Sequence, residues 1–426
     1  MFSIIKRTDK IYKSKTAQNG FWLYILQIFN TVIPLITLPY ITRILGPSQY
    51  GAFSSALNLV GYFQVIVQYG FDLSGTRKVA ISKDRDKVSK IYSTITLSKL
   101  FLCLLTFIAM LLFSQIFNFS KVQYMSMLIL YLMVFGTGIQ QTWLFQGLQE
   151  MKYITLVSVI SRTISVVLTF LLVNKSQHIY LYSGLYSLTY LLMGIVSILL
   201  IKYKFKIHFQ KISAREIIIE LKDGWYLFTT SAMTKLFGGI GITILTFTSS
   251  SNDVGVYSAI QKIPLLLIMM YSPISEVIFP HVSKKYLSSF EEGLTFIKKS
   301  SKYILSIVIL ISLTLIINSR LIVRMIYGED YAVYSFLVPP LIIWVILSVL
   351  NNILGIQVLV ASGHLREYSI SFRIGVVAIL LFNIILGSTH GMLGISIAAL
   401  LAEMILTGAI IYHINGIIRK DNIKKK

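Results

Sequence analysis

The sequence predicts an all-α integral membrane protein with twelve transmembrane helices in two pseudo-symmetric six-helix lobes. Three observations carry that prediction. Hydrophobic residues fill 55% of the 426 positions and charged residues only 13%, whereas an ordinary soluble domain carries about 25% charge. The mean hydropathy is +0.74, and apolar runs of bilayer length recur from end to end, leaving no block to fold in water. The chain also repeats itself, which sorts those runs into two sets.

Apolar windows of roughly 20 residues mark the membrane spans. They fall at 20–42, 50–75, 91–117, 123–145, 153–173 and 178–201, then at 224–248, 254–280, 300–318, 333–360, 368–388 and 391–415. The first follows Lys6, Arg7, Lys10, Lys13 and Lys15, a basic start like that of a signal peptide. Its apolar stretch is too long for a signal core and has no small-residue cleavage site, so a retained first helix is expected.

Lys and Arg are distributed unequally between the loops. The side shared by both termini holds 29, the opposite side holds Arg43, Lys121, Lys175, Arg320 and Arg324, and five more fall within spans. Basic loops stay in the cytoplasm, so both termini are expected inside. The same distribution explains the formal net charge of +22. In a soluble protein that charge would suggest nucleic-acid binding. Here it orients the chain and meets anionic lipid headgroups, so membrane lipids are expected partners and nucleic acid is not.

The repeat runs at an offset of 204. Gly20 matches Gly224, Trp22 matches Tyr226, Thr42 matches Thr246, and Gly51 with Phe53-Ser54 matches Gly255 with Tyr257-Ser258. Further on, Gln141 and Gly147 align with Gln357 and Gly363, and Tyr153 with Tyr368. An even number of spans precedes the second copy, so the two copies are parallel repeats. The expected organisation is an N-terminal lobe at 1–201, a basic amphipathic cytoplasmic linker at 202–223 lying on the inner leaflet, and a C-terminal lobe at 224–426.

Charges at bilayer depth are costly unless a partner or a wet cavity receives them, which makes them functional candidates. Lys235 and Arg162 fall near the middle of their spans, Lys262 and Arg373 one to two turns inside theirs, and Lys99 two turns into the third. Against these stand Glu403, Glu276 and Asp72. The excess is positive, which favours an anionic substrate such as a phosphate or diphosphate over an organic cation. Lys99 and Arg373 are close enough to the cytoplasmic face to reach water by their long stems. Lys262 and Glu276 share a helix face but are roughly 21 Å apart along it, so they cannot pair directly. Glu403 reads equally as a protonation site or as the counter-ion of a base on another helix.

A polar stripe in the first span, Gln27, Asn30, Thr31 and Pro34 at helical spacing, turns one face away from lipid. Asn58, with Ser54 and Gly61, continues the theme in the second span, and Asn351 with Asn352 in the tenth. These residues line a path or pack helices; the spacing fits both. No metal-ligand spacing, phosphate loop or nucleophile elbow occurs, and the lone Cys103 sits in an apolar run, so no enzyme, cofactor or metal site is expected. The longest non-cytoplasmic loop, about 319–332, is too short for a catalytic domain.

The stretch from Ile33 to Gly51, with Pro34, Pro39-Tyr40, Thr42-Arg43-Ile44-Leu45-Gly46-Pro47 and Tyr50-Gly51, resembles the N-terminal signature of bacterial Wzx-type O-antigen flippases. So do Tyr69-Gly70-Phe71-Asp72-Leu73-Ser74-Gly75-Thr76-Arg77-Lys78, Phe145-Gln146-Gly147 with Lys152-Tyr153, and Val254-Gly255-Val256-Tyr257-Ser258-Ala259 before Lys262. These flippases form the polysaccharide-transporter branch of the multidrug/oligosaccharidyl-lipid/polysaccharide superfamily. The resemblance implies a MATE-like fold that alternates access in the bacterial inner membrane, with a cationic central cavity and proton coupling. The implied cargo is an undecaprenyl-diphosphate-linked oligosaccharide, and the implied partners are an O-antigen polymerase and a chain-length regulator. A MATE-like small-molecule antiporter, or an exporter of another polysaccharide precursor, is the alternative on the same fold.

Overall fold

The computed structural model describes residues 15–82 and 84–424. They are helical almost throughout, and among them ten helical stretches are long and apolar enough to cross a membrane. The protein is a multi-pass membrane protein. Two units, residues up to Gly238 and residues from Gly239 onward, each hold together by their own contacts.

The first unit begins with α1 (Lys15–Gln68), which is helical except at Gly46. Gly46 has φ 69° and ψ 169°, a conformation open almost only to glycine. The following Pro47 also disfavours a helical Gly46 and suits the first turn of the next helical segment. The helix is therefore kinked at Gly46, between the windows expected at 20–42 and 50–75. Two further prolines, Pro34 and Pro39, lie in the segment before the kink. The hydroxyls of Thr31, Thr37 and Thr42 donate back to carbonyls one turn earlier.

After Gly70 come α2 (Phe71–Ile81), α3 (Arg85–Ile116), α4 (Lys121–Ile139), the short α5 (Thr142–Gly147), α6 (Met151–Leu172) and α7 (Ile179–Leu200). Asp84 caps α3 and a reciprocal Ser120–Gln123 box caps α4, which places both starts in the expected loops. A π-helical turn, Ile201–Phe205, ends α7 at Lys206 with φ 54°. The chain then runs without regular structure to Ser213, where α8 (Ala214–Thr248) starts.

The linker differs from a segment lying free on the leaflet. Its first half is pinned to α3, where Gln210 N–H donates to Ser93 Oγ at 2.8 Å and Phe209 packs on Tyr92 at 4.8 Å. Its second half is the opening of α8. The acidic residues there explain this: Glu216 pairs with Lys90 at 2.6 Å, and Glu220, 7% exposed, pairs with Lys78 at 2.7 Å. Charge count alone makes the linker basic, but its carboxylates serve the preceding helices.

The second unit takes up the end of α8 and continues with α9 (Ser251–Ile260), α10 (Lys262–Ser288), α11 (Phe290–Ile317), α12 (Ser319–Tyr327), α13 (Val338–Asn352) and α14 (Leu365–Lys424). A π-helical segment, Ile353–Val360, extends α13. α14 is interrupted at Gly391, with φ 54° and ψ −132°. Its core clusters Tyr271, Val282, Ile297, Val345, Val349, Val358 and Ile410. The two units share a local device. Glu150 N–H donates to the Phe145 carbonyl and His364 N–H to the Leu359 carbonyl, both at 2.8 Å. The left-handed residues are Gln149 and Gly363, so the matching turns align two residues away from the Gly147–Gly363 pairing.

Candidate functional site

In the first unit the structure brings two expected cations onto two expected polar residues. Arg162 lies eleven residues into α6, about 16 Å along it. The fully buried face of α6 is Ile154, Thr155, Val157, Ser158, Ser161, Ser165 and Thr169. At 100° per residue Arg162 falls inside that arc, so it points into the bundle rather than to lipid. It remains half-buried. One guanidinium nitrogen donates to Asn30 Oδ1 at 2.5 Å. Among the described residues no Asp or Glu forms an ion pair with it.

Lys235 lies eleven residues past Gly224, again about 16 Å into its span. Its Nζ donates to Asn58 Oδ1 at 3.4 Å and sits 5.4 Å from the centre of the Tyr62 ring. Gly61 makes this approach feasible, because a Cβ there would meet the Lys235 Nζ at 2.8 Å. An amide oxygen and an aromatic face each stabilise a cation without cancelling its charge.

The remaining cations are arranged differently. Lys99 is 2% exposed and pairs with Asp72 Oδ1 at 3.6 Å, so two residues read as separate candidates are one ion pair on α2 and α3. Lys262 is exposed at the start of α10. Arg373 is exposed on α14, its Nε donating to the Ser369 carbonyl of the same helix at 3.3 Å. Gln27 is exposed on α1.

In the second unit, Glu403 and Asn351 are each 5% exposed. Asn351 Nδ2 donates to a carboxylate oxygen of Glu403 and, at 3.1 Å, to its backbone carbonyl. Thr407 donates to Asn351 Oδ1 at 2.7 Å. A neighbouring network joins Tyr271 and Ser275 to Asn352 Oδ1, and Gln357 to Ser275. Glu276 is exposed on α10 and accepts from Ser272 at 3.4 Å.

Tyr62 and the tyrosines of α7 were not among the residues singled out by charge. Tyr182, Tyr186 and Tyr190 are spaced four apart, a helical repeat that marks one face. Hydropathy counting passes over it because tyrosine scores near neutral. Arg162 is close enough to Tyr186 to act on its hydroxyl electrostatically.

Residues 16–285, more than half of the chain, match the polysaccharide biosynthesis protein family. A protein of Escherichia coli K12 provisionally named an O-antigen transporter is 28% identical over 94% of this chain and 97% of its own length. A Shigella dysenteriae protein of the same name is 26% identical over 91% and 97%. Among solved structures, the lipid II flippase MurJ in an inward closed conformation superimposes with a TM-score of 0.74 at 14% identity, covering 94% of this chain and 87% of MurJ. An inward-facing MATE multidrug transporter gives 0.64 at 14% identity, covering 93% and 99%. The chain thus has the fold shared by these transporters.

Proposed function

The chain belongs to the polysaccharide biosynthesis protein family, and from that premise we propose that it is a flippase for a lipid-linked polysaccharide precursor. The specific reading is transfer of undecaprenyl-diphosphate-linked O-antigen repeat units from the cytoplasmic to the periplasmic leaflet of the bacterial inner membrane. Relatives named for O-antigen transport and the MurJ-like fold support it.

One observation carries the reading to the residues. Arg162, on the inward face of α6, is held by the amide oxygen of Asn30. A carboxylate partner would neutralise the guanidinium; an amide positions it and leaves its charge for a ligand. A diphosphate is the complementary group, because the planar guanidinium can present two parallel N–H donors to phosphate oxygens. Lys235, beside Asn58 and Tyr62, would add a second positive charge. Repulsion of these charges by one another and their cost of burial would both fall when the anion enters.

Gly46 and Gly391 each divide one of the ten long helical stretches, which supports twelve spans. Two six-helix lobes at 1–201 and 224–426, joined at 202–223, would then alternate access with both termini inside. Glu403, buried against Asn351, would be the site of proton coupling. The polymerase and chain-length regulator would receive the unit after release. No catalytic step is assigned to the chain.

Glu403 also favours a second reading, a MATE-like cation antiporter, since a buried carboxylate suits an organic cation. Complementation separates the two. In a strain lacking the transporter, Arg162→Ala should lose the lipopolysaccharide ladder by about tenfold or more while membrane levels stay normal, and Arg162→Lys should restore part of it. A full ladder with Arg162→Ala would refute the anion site. A drug-efflux defect with an intact ladder on deletion would favour the antiporter.

A further inference from the structure

We infer that Tyr182, Tyr186 and Tyr190 form a stacking track for the sugar rings of the cargo whose diphosphate Arg162 receives. The inference rests on the flippase reading and deepens it.

The buried face of α7 contains Ile179, Ser183, Leu185, Ser187, Thr189 and Met193. Its exposed side contains Tyr180, Leu181, Ile195 and Leu199. At 100° per residue, Tyr182, Tyr186 and Tyr190 fall within the buried arc, well away from the lipid side. Yet all three stay half-buried while Leu185, Thr189 and Met193 around them are closed. Rings that served only to fill the core would be closed like those neighbours. These three keep partial exposure on that arc.

The rings are held in sequence. Tyr182 and Tyr186 have centres 6.4 Å apart, and Tyr186 and Tyr190 6.0 Å. Phe53, 2% exposed, backs the first two at 4.6 and 5.5 Å. The three rungs span about 12 Å of helix. α7 itself is fixed by a close crossing of α4, where the backbone of Tyr190 lies 2.5 Å from the place a Gly136 Cβ would take.

A pyranose has hydroxyls at its edge and a C–H face that water solvates poorly. An aromatic ring takes that face without requiring a particular hydroxyl pattern. Rungs about 6 Å apart would let a short saccharide move from one to the next without breaking a fixed set of hydrogen bonds. The phenol hydroxyls can meet sugar hydroxyls at the edge, which Leu or Phe could not do. A polyprenyl chain gains nothing from phenols over the lipid side of the same helix. α6, which carries Arg162, packs against α7, which carries the rungs, so sugar and diphosphate would be met on neighbouring helices of one unit.

The test is binding to the full-length protein in nanodiscs, followed by native mass spectrometry. Two probes are compared: undecaprenyl diphosphate, and undecaprenyl-diphosphate-linked O-units extracted from a host lacking the transporter. Wild type should prefer the sugar-bearing probe by about tenfold or more, the scale of ring-stacking contacts. Replacing Tyr182, Tyr186 and Tyr190 together by Leu should reduce that preference to about threefold or less and leave undecaprenyl diphosphate binding unchanged. If the triple variant does not fold, Tyr186→Leu alone should reduce the preference, with Tyr186→Phe retaining most of it. An undiminished preference in the Leu variants overturns the track, as does equal weakening of both probes, which would indicate a polyprenyl contact. A wild type that binds undecaprenyl diphosphate without preferring sugar also overturns it and leaves the flippase reading standing. A wild type that binds neither probe refutes that reading itself.

Discussion

What holds a buried cation decides what that cation can do. Arg162 rests on an amide oxygen and Lys99 on the carboxylate of Asp72. The second pair is asymmetric, since Lys99 is 2% exposed and the Asp72 side chain 48% exposed. Removing Asp72 leaves a buried, uncompensated ammonium, which costs about 3 kcal/mol. Removing Lys99 leaves a carboxylate that water can reach. Asp72→Asn should therefore lower the melting temperature in detergent clearly more than Lys99→Met, and equal losses would contradict the pairing. The sequence shows five cations within spans but not their partners, because Asp72 and Lys99, or Asn30 and Arg162, are far apart along the chain. Spacing and depth singled out Asn30, Asn58, Arg162 and Lys235, while Gln27 and Pro34 of the same α1 stripe are exposed. The pairing was not legible, and the half-buried tyrosines of α7 were visible only as a four-residue repeat with no hydropathy signal.

At the scale of elements, two glycines set the geometry that positions these residues. Gly46→Ala would force a side chain into a conformation that costs about 1–3 kcal/mol, and the cost should appear as a lower thermal midpoint with export retained at permissive temperature. Gly136→Leu should be more severe, because its side chain would enter the backbone of α7 at Tyr190 and displace the tyrosine face. Size-exclusion of the detergent-solubilised protein should show loss of the monodisperse peak; an unchanged profile would contradict the close crossing. The apolar windows anticipated apolar helices of bilayer length, but the windows 50–75 and 123–145 run across the breaks at Tyr69–Gly70 and Gln140–Gln141. They did not anticipate that α1 and α14 run on through a kink, nor that α8 begins at Ala214 inside the linker. Those features depend on single backbone angles at Gly46 and Gly391, and on carboxylates pairing with Lys78 and Lys90.

At the scale of the whole molecule, orientation and transport are the remaining claims. Cys103 is buried and is the chain's one cysteine, so Cys103→Ser provides a background for labelling. An impermeant maleimide applied to intact spheroplasts should label Lys175→Cys and spare Lys206→Cys. The reverse pattern would invert the topology deduced from the 29 basic residues on one side. Transport is tested most directly in proteoliposomes carrying lipid-linked O-units, with a lectin outside that reads how much sugar reaches the outer leaflet. Wild-type protein should raise the accessible fraction well above protein-free liposomes, and Arg162→Ala should leave it near the protein-free value. Equal accessibility with wild type and Arg162→Ala, or no rise with wild type at all, would contradict the account.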